Sequence, residues 1–294
     1  MSELNGIVVI NKEKGYTSHD VVNVVRRTLG TRKVGHTGTL DPNATGVLPV
    51  CVGRSTKACD MLTFSDKEYN AEVKLGFTTD TYDVWGTVLE TRDVNVTMES
   101  LKDAIEHFTG EIEQLPPMYS AIKQNGKKLY ELAREGIEVE RKKRRITIYE
   151  CELLHFEGDT FKIRVYCSKG TYIRSLCYDM GEYLGCGATM TGLVRTKSSV
   201  FDIENALTLD ELKEKVENAG PESVLSCVDK VFSEYPELKV TEIVKGRLLS
   251  GALSRVTAKE GTYRAYAPNG EFVGVTEVFK GDKGNVLKII KSFL

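Results

Sequence analysis

The segment from Gly35 to Pro49 constrains this chain more than any other part of the sequence. It reads GHTGTLDPNATGVLP, with three glycines and two prolines, and it runs on into an apolar stretch. Glycines permit tight turns and a close approach of a ligand to the backbone. Pro42 keeps the residue before it, Asp41, out of a helical conformation. The pattern predicts a rigid loop that presents one carboxylate just before a buried strand.

Two interpretations of this loop stay open on composition alone. Asp-Pro and Asn-x-x-Gly are ordinary turn sequences, and most glycine-rich loops connect strands without a chemical role. The alternative is an active-site loop in which Asp41 is the reactive group. Without other information, the connecting loop is the favoured interpretation.

The composition limits the class of protein. A length of 294 residues suggests about two domains, and a hydrophobic share of 41% is enough for a packed core. There is no apolar run of membrane-spanning length and no secretory pattern at the N-terminus, so we expect a cytoplasmic protein that does not bind membranes. Seven cysteines without a Cys-x-x-Cys pair and four scattered histidines predict reduced thiols, no metal site and no cofactor.

Predicted strands and helices follow one another without regular alternation. Helices are expected at 18–29 (with Ser18 as the N-cap), 55–64, 97–108, 129–133, 172–184 and 208–219. Strands are expected at 6–10, 68–77, 84–90, 146–156, 160–167 and, as one or two strands, 188–201. We therefore predict an α+β fold in which helices flank a mixed, largely antiparallel sheet.

The C-terminal part of the chain differs from the rest. From about Tyr235-Pro236 it has short strand-like runs and frequent glycines, and Asn269-Gly270 between two such runs is a strong hairpin signal. We predict one domain over 1–235 and a small β-rich domain over 236–294. The second domain is either a binding module or a structural cap.

Positive charge is concentrated in one part of the chain, although the net charge is only −2. Lys123, Lys127 and Lys128 precede the run RKKRR from Arg141 to Arg145. Such a cluster can bind nucleic acid whatever the overall charge. A solvated loop is the alternative, and the run by itself favours that alternative.

Several separated motifs resemble those of the bacterial tRNA pseudouridine-55 synthase family, in the family's order. The Gly35–Pro49 loop matches its GHTGTLDPxATGxLP signature, and Lys12 begins a match to Lys-Pro-x-Gly-x-Thr-Ser in which Glu13 stands where the family has proline. The remaining matches are KEY at 67–69, PMYSA at 117–121, GKKLY at 126–130 and SKGTYIR at 168–174.

The resemblance implies an enzyme that isomerises the T-loop uridine at position 55 of tRNA by base flipping, without a cofactor. It implies a catalytic domain over 1–235 with an RNA-gripping insertion at about 110–145, and a PUA-like RNA-binding domain over 236–294. It also implies a monomer that binds the T stem-loop and needs no protein partner. Two alternatives remain, which are a guide-dependent synthase of a ribonucleoprotein and a non-catalytic RNA-binding or chaperone module.

By the same resemblance, Asp41 is the essential carboxylate and Arg174 its cationic partner. The reaction moves the bond between sugar and base from N1 to C5, and a carboxylate suits it as a covalent nucleophile or as a partner to a cationic sugar. Attack on the sugar, attack on the base and assistance to elimination all stay open. Tyr69 and Tyr172 are the expected aromatic walls, since stacking of a flipped base on a ring is worth about 1–3 kcal/mol. Tyr69 is also a candidate for handling the C5 proton.

The expected RNA contacts come from one histidine and the basic residues. In the family, the residue that matches His36 fills the place vacated by the flipped base. The candidates for phosphate contacts are Lys12, Lys123, Lys127, Lys128, Arg141, Lys142, Lys143, Arg144 and Arg145.

Overall fold

A computed structural model describes residues 4–294. The strands of this part of the chain are β1 (Gly6–Lys12), β2 (Val34–His36), β3 (Thr45–Val52), β4 (Lys67–Leu75), β5 (Phe77–Thr79), β6 (Val88–Thr91), β7 (Gly110–Gln114), β8 (Lys123–Gln124), β9 (Lys127–Lys128), β10 (Arg144–Glu157), β11 (Thr160–Cys167), β12 (Ala188–Ser198), β13 (Phe201–Asp202), β14 (Glu237–Lys239), β15 (Ser254–Arg255), β16 (Gly261–Tyr266), β17 (Phe272–Gly281) and β18 (Gly284–Ser292). The helices are α1 (Ser18–Thr28), α2 (Cys59–Thr63), α3 (Met98–His107), α4 (Leu129–Arg134), α5 (Ile173–Tyr183), α6 (Leu209–Ala219) and α7 (Glu242–Leu249).

Nine strands form the larger sheet. Seven of them lie in the order β1-β3-β12-β4-β11-β10-β7, while β2 pairs with β3 and β13 pairs with β12. Within residues 4–294, every neighbouring pair of this sheet is antiparallel except β3 and β12, which run parallel where Val194 lies beside Thr45. The predicted α+β fold with a largely antiparallel sheet is therefore confirmed.

Most predicted helices are present, and two of them have a threonine at the N-cap. Thr97 and Thr208 each accept a hydrogen bond from the main chain of the first turn of α3 and α6. The prediction of Ser18 as an N-cap is wrong, because Thr17 caps α1 instead. The hydroxyl of Ser18 accepts a hydrogen bond from the N–H of Leu40, which ties the helix to the glycine-rich loop.

Two other predicted elements differ from the expectation. The strand predicted at 84–90 is only β6, because the carboxylate of Asp83 accepts a hydrogen bond from the N–H of Trp85 and closes a turn there. The helix predicted at 55–64 consists of a 3₁₀ segment, Gly53–Ala58, followed by α2.

Different layers cover different parts of the larger sheet. Helices α3 and α5 pack on β4, β10, β11 and β12 through a core that includes Leu101, Phe161 and Leu176. Helices α1 and α6 cover β1 and β3. The faces of β4 therefore differ, since Tyr69, Ala71 and Val73 point into the first core while the residues between them are more exposed.

The five remaining strands of the C-terminal part form their own sheet in the order β14-β16-β17-β18-β15. The hairpin predicted around Asn269-Gly270 is confirmed by the antiparallel pairing of β16 and β17. Phe272 of β17 and Phe293, which follows β18, belong to one buried cluster with Val47 of β3. Within the described part of the chain, no helix combines the length and apolarity needed to cross a membrane.

Candidate active site

The glycine-rich loop connects β2 to β3 and is held from outside itself. Ser18 fixes Leu40, as described above, and the carbonyl of Pro42 accepts hydrogen bonds from the N–H of Gly15 and from the ammonium of Lys12, at 2.9 and 3.0 Å. Asp41 lies between these two attachment points. The loop is thus fastened on both sides of its carboxylate to the segment around residues 12–18.

Lys12 is buried and serves the main chain. Its ammonium donates to the carbonyls of Glu13, Tyr16 and Pro42 at 2.8–3.0 Å, which uses all three of its protons. Burial lowers its pKa from 10.5 to about 8. The expectation that Lys12 contacts phosphate is therefore not supported by its position, because the side chain has no donor left to offer RNA. It holds the shape of the loop instead.

Asp41 and Arg174 form a two-point ion pair. The Nε and Nη2 atoms of Arg174 lie 2.9 and 3.2 Å from Oδ2 and Oδ1 of Asp41. The arginine side chain is 6% exposed and the aspartate side chain 40% exposed. The guanidinium therefore lies behind the carboxylate, whose remaining lone pairs are open to a substrate.

Arg174 is itself held by the main chain and by a second carboxylate. It donates to the carbonyls of Thr81 and Tyr119 at 2.9 and 2.8 Å, and its Nη1 lies 3.7 Å from Oδ2 of Asp83. Burial raises the pKa of Asp83, against the opposing effects of the Thr81 hydroxyl and Arg174. Sequence analysis did not identify Asp83, because nothing near it in the chain distinguishes it from other acidic residues of turns.

Tyr172 precedes α5 and is held through its backbone. Its N–H donates to Oε1 of Gln114 at 2.8 Å, and its carbonyl accepts from Nε2 of the same amide at 3.0 Å. Burial raises the pKa of the half-buried Tyr172 phenol. Gln114 lies at the end of β7 and was also missed from the sequence.

Tyr69 lies on β4 directly opposite Arg195 of β12. Burial raises the pKa of its phenol, so the hydroxyl keeps its proton at neutral pH. Arg195 is buried as well, and it donates from Nε to the carbonyl of Val47 at 2.7 Å and from Nη2 to that of Gly38 at 3.3 Å. A Cβ atom on Gly46 would overlap the carbonyl of Arg195, so the loop can meet β12 only with glycine there.

His36 ends β2 at the beginning of the same loop and is half-buried. Burial and, next, the charge of Arg195 lower its pKa. The imidazole is therefore neutral at pH 7. The structure brings together Asp41, Arg174, the backbone of Tyr172 and the loop that begins at His36.

The remaining basic residues lie on the segment between β7 and β10 and on β10 itself. Arg141 is anchored to the carbonyl of Pro116 at 3.0 Å, and Lys127 lies 3.4 Å from Glu135. The Lys128 ammonium lies beside the hydroxyl of Tyr130. The exposed members of the set are Lys123, Lys127, Lys142, Lys143, Arg144 and Arg145. Among residues 4–294, no group of three His, Cys, Asp or Glu side chains is arranged to hold a metal ion.

Two family models match adjacent parts of the chain. The N-terminal domain of the TruB family pseudouridylate synthases matches residues 26–173, and the C-terminal domain of tRNA pseudouridylate synthase B matches residues 174–232. Relatives called tRNA pseudouridine synthase B include that of Clostridium kluyveri, which is 47% identical over 92% of this chain and 95% of its own length. That of Alkaliphilus oremlandii is 48% identical over 84% of this chain and 82% of its own length.

Solved structures share the fold over nearly the whole chain. A Cbf5-Nop10-Gar1 complex contains a chain that is 26% identical, with a TM-score of 0.74 over 98% of this chain and 85% of that one. An H/ACA RNP bound to a substrate RNA contains a chain with a TM-score of 0.73 over the same shares at 24% identity, which shows similarity of fold. With its sequence matches over most of its length and a bidentate Asp41–Arg174 pair in the matching motifs, the chain belongs to the TruB family of pseudouridylate synthases.

Proposed function

We propose that this protein is a tRNA pseudouridine synthase that isomerises the uridine at position 55, in the T loop, to pseudouridine. The observation that carries the proposal is the pairing of Asp41 with Arg174, from two motifs 133 residues apart, in a chain of this family. The names of relatives about 47% identical to the chain support tRNA as the substrate.

The reaction is an isomerisation, and its balance needs no other reagent. The bond between C1′ and N1 breaks, uracil turns, and a bond forms between C1′ and C5. The proton of C5 is then lost and N1 gains one. The nucleotide must leave its stack for this to happen, which costs a few kcal/mol.

In this mechanism Asp41 supplies the open oxygen of its carboxylate to the flipped nucleotide, either as the nucleophile or as the partner of a developing positive charge on the sugar. Arg174 holds the carboxylate in a fixed orientation, since it contacts both oxygens from behind and is itself fixed to two carbonyls. The two roles of Asp41 use the same geometry.

Tyr69 and Tyr172 are proposed to face the flipped base. Because burial raises the pKa of the Tyr69 phenol, its hydroxyl acts as a donor and stacking surface in the resting enzyme, and it takes up the C5 proton only with help from another group. The exposed lysines and arginines from Lys123 to Arg145 are proposed to contact phosphates, and His36 the space left by the flipped base. The C-terminal sheet is proposed as a PUA-like RNA-binding domain.

A guide-dependent enzyme of a ribonucleoprotein is the second candidate. It draws on the fold shared with the chain of the Cbf5-Nop10-Gar1 complex, at 26% identity. The stand-alone enzyme is favoured, because relatives called tRNA pseudouridine synthase B reach 47% identity over 92% of the chain. A purely RNA-binding role would leave the buried arginine and the carboxylate in front of it without a purpose.

The test is incubation of the purified full chain with an unmodified tRNA transcript, followed by mapping of pseudouridine by chemical-adduct stops. We expect one product, at position 55, without added protein or guide RNA. Transcripts with the T-loop uridine replaced by cytidine serve as the control. Absence of product at that position, or a requirement for a guide RNA, would refute the proposal.

A further inference from the structure

A cavity lies beside the glycine-rich loop, and neither Asp41 nor Arg174 lines it. Its volume is about 450 Å³, within the range of small-ligand sites. Asn43 and Thr45, which follow Asp41 in the loop, form one wall, and Asn70 and Glu72 of β4 form another. These β4 residues alternate with the inward-facing Tyr69, so the cavity opens on the opposite face of the sheet.

The aromatic wall of this cavity is Trp85, the single tryptophan of the chain. Its side chain is 44% exposed, which is unusual for a large apolar ring. The backbone N–H of Trp85 donates a hydrogen bond to the carboxylate of Asp83, which also lies 3.7 Å from Arg174. Trp85 is therefore fixed through its backbone, while its indole ring is available for stacking.

The charges that line the cavity suit a phosphodiester. Lys14 places its ammonium 5.3 Å from the centre of the indole ring, and Lys162 lies 2.6 Å from Glu72. These are the charged residues of the lining, so two lysines and one glutamate leave one net positive charge. A phosphodiester of RNA carries one negative charge, which matches it, and the phosphate of a free mononucleotide carries about two, which the two lysines also attract.

An unused acceptor provides an independent indication of a ligand. The Oδ1 atom of Asn70 is buried and has no hydrogen-bond partner among the described residues, although its side chain lines the cavity. A buried acceptor without a partner is costly. An exocyclic amino group, as carried by adenine, cytosine and guanine, would supply the missing donor.

We propose that this cavity binds one nucleotide, with its base on Trp85, its amino group on Asn70 and its phosphate between Lys14 and Lys162. The nucleotide belongs either to bound RNA, in which case the inference rests on the proposed function, or to a free mononucleotide. In both cases it touches the back of the loop that carries Asp41.

Because Trp85 is the single tryptophan, the fluorescence of the intact protein reports on the cavity directly. We would titrate the wild type with an unmodified tRNA transcript and, separately, with AMP and CMP. Quenching by tRNA alone supports the RNA-borne nucleotide, and quenching by AMP or CMP supports a free one. In either case Asn70→Leu and Lys14→Ala should raise the ligand concentration at half-maximal quenching by about three- to ten-fold. Lys74→Ala, on the same face, should leave it unchanged.

A second pair of variants covers the case in which Asn70→Leu fails to fold. Filter binding of the ligand found to quench should weaken by about ten-fold in Trp85→Ala and much less in Trp85→Phe, since stacking tolerates any aromatic ring. The inference is overturned by the absence of quenching with all three ligands, by quenching that ignores Asn70 and Lys14, or by equal effects of Ala and Phe at position 85. Pseudouridine formation by the wild type, assayed in parallel, separates this failure from failure of the proposed function.

Discussion

Gln114 and Tyr172 are joined by two hydrogen bonds that run in opposite directions between one side-chain amide and one residue's backbone. Gln114 is 1% exposed, so neither bond competes with water. Tyr172 directly precedes α5, and Arg174 is the second residue of that helix. A single buried amide at the end of β7 therefore fixes the start of α5, the helix that carries Arg174.

We predict that Gln114→Leu lowers the rate of pseudouridine formation by about 10-fold or more and lowers stability by about 1–3 kcal/mol, because a buried N–H and a buried carbonyl lose their partners. Single-turnover assays and urea unfolding measure the two effects. Gln124→Leu, on β8, is the control. An unchanged single-turnover rate would show that α5 is positioned without Gln114.

Asp41→Asn should abolish turnover while leaving tRNA affinity within about three-fold, since the amide keeps the shape but not the charge of the carboxylate. Product mapping and filter binding measure the two quantities. Because Arg174 then faces a neutral partner, a small loss of stability is also expected. A variant with near-normal turnover would exclude Asp41 as the essential group.

Arg174→Lys should slow the reaction by at least about 100-fold, although the positive charge is kept. An ammonium cannot contact both oxygens of Asp41 and two carbonyls in one plane. Arg164→Lys is the matched control, because Arg164 pairs with Glu68, Glu150 and Glu152 on the exposed face of the sheet. If both substitutions slowed the reaction equally, Arg174 would have no special role in the reaction.

Lys67 should make stability rise with pH between about 8 and 9. Burial lowers its pKa from 10.5 to about 8 in the folded chain. The unfolded chain therefore binds more protons in this window, and the free energy of unfolding increases with pH, by at most about 1.4 kcal/mol per pH unit. Buried Lys12 contributes in the same direction.

The slope, measured by urea unfolding from pH 7 to 9, should become shallower in Lys67→Met but stay unchanged in Lys74→Met. Lys74 lies on the same strand with a half-exposed side chain, paired with Asp159. If both variants kept the slope of the wild type, Lys67 would not be the group that titrates.

The basic run should determine the salt dependence of tRNA binding. Each phosphate contact contributes about 0.7–0.9 to the slope of log K against log salt. Arg144→Ala and Arg145→Ala, at exposed positions of β10, should each reduce the slope by about that amount. Lys102→Ala on the exposed surface of α3 should leave it unchanged, and a flat profile for the wild type would remove these residues from the interface.

Local signals explain which parts of the fold could be predicted. Thr97 and Thr208 mark helix starts because the capping bonds reach only three residues along the chain. At the start of α1, Thr17 and Ser18 are equally good caps by composition. The hydroxyl of Ser18 instead accepts a hydrogen bond from the N–H of Leu40, 22 residues away, which leaves Thr17 as the cap. Sequence propensity alone does not distinguish the two.

The candidate site was predictable only where its residues stand in distinctive motifs. Asp41 is conspicuous among glycines and prolines, and Arg174 stands in a recognisable motif. Gln114 and Arg195 join the site through partners 58 and 148 residues away, and no local pattern marks them. Lys12 is the reverse case. It was a candidate for phosphate contacts, but it is buried and supports the loop from inside.

The close contact between Gly46 and Arg195 has a consequence for synthesis of the protein. Strand β3 and the loop before it leave the ribosome long before β12, yet β12 supplies the arginine that fastens the carbonyls of Gly38 and Val47. A nascent chain that stops short of residue 195 lacks this fastening. The loop that carries Asp41 can therefore be fastened to β12 only after about two-thirds of the polypeptide has been synthesised.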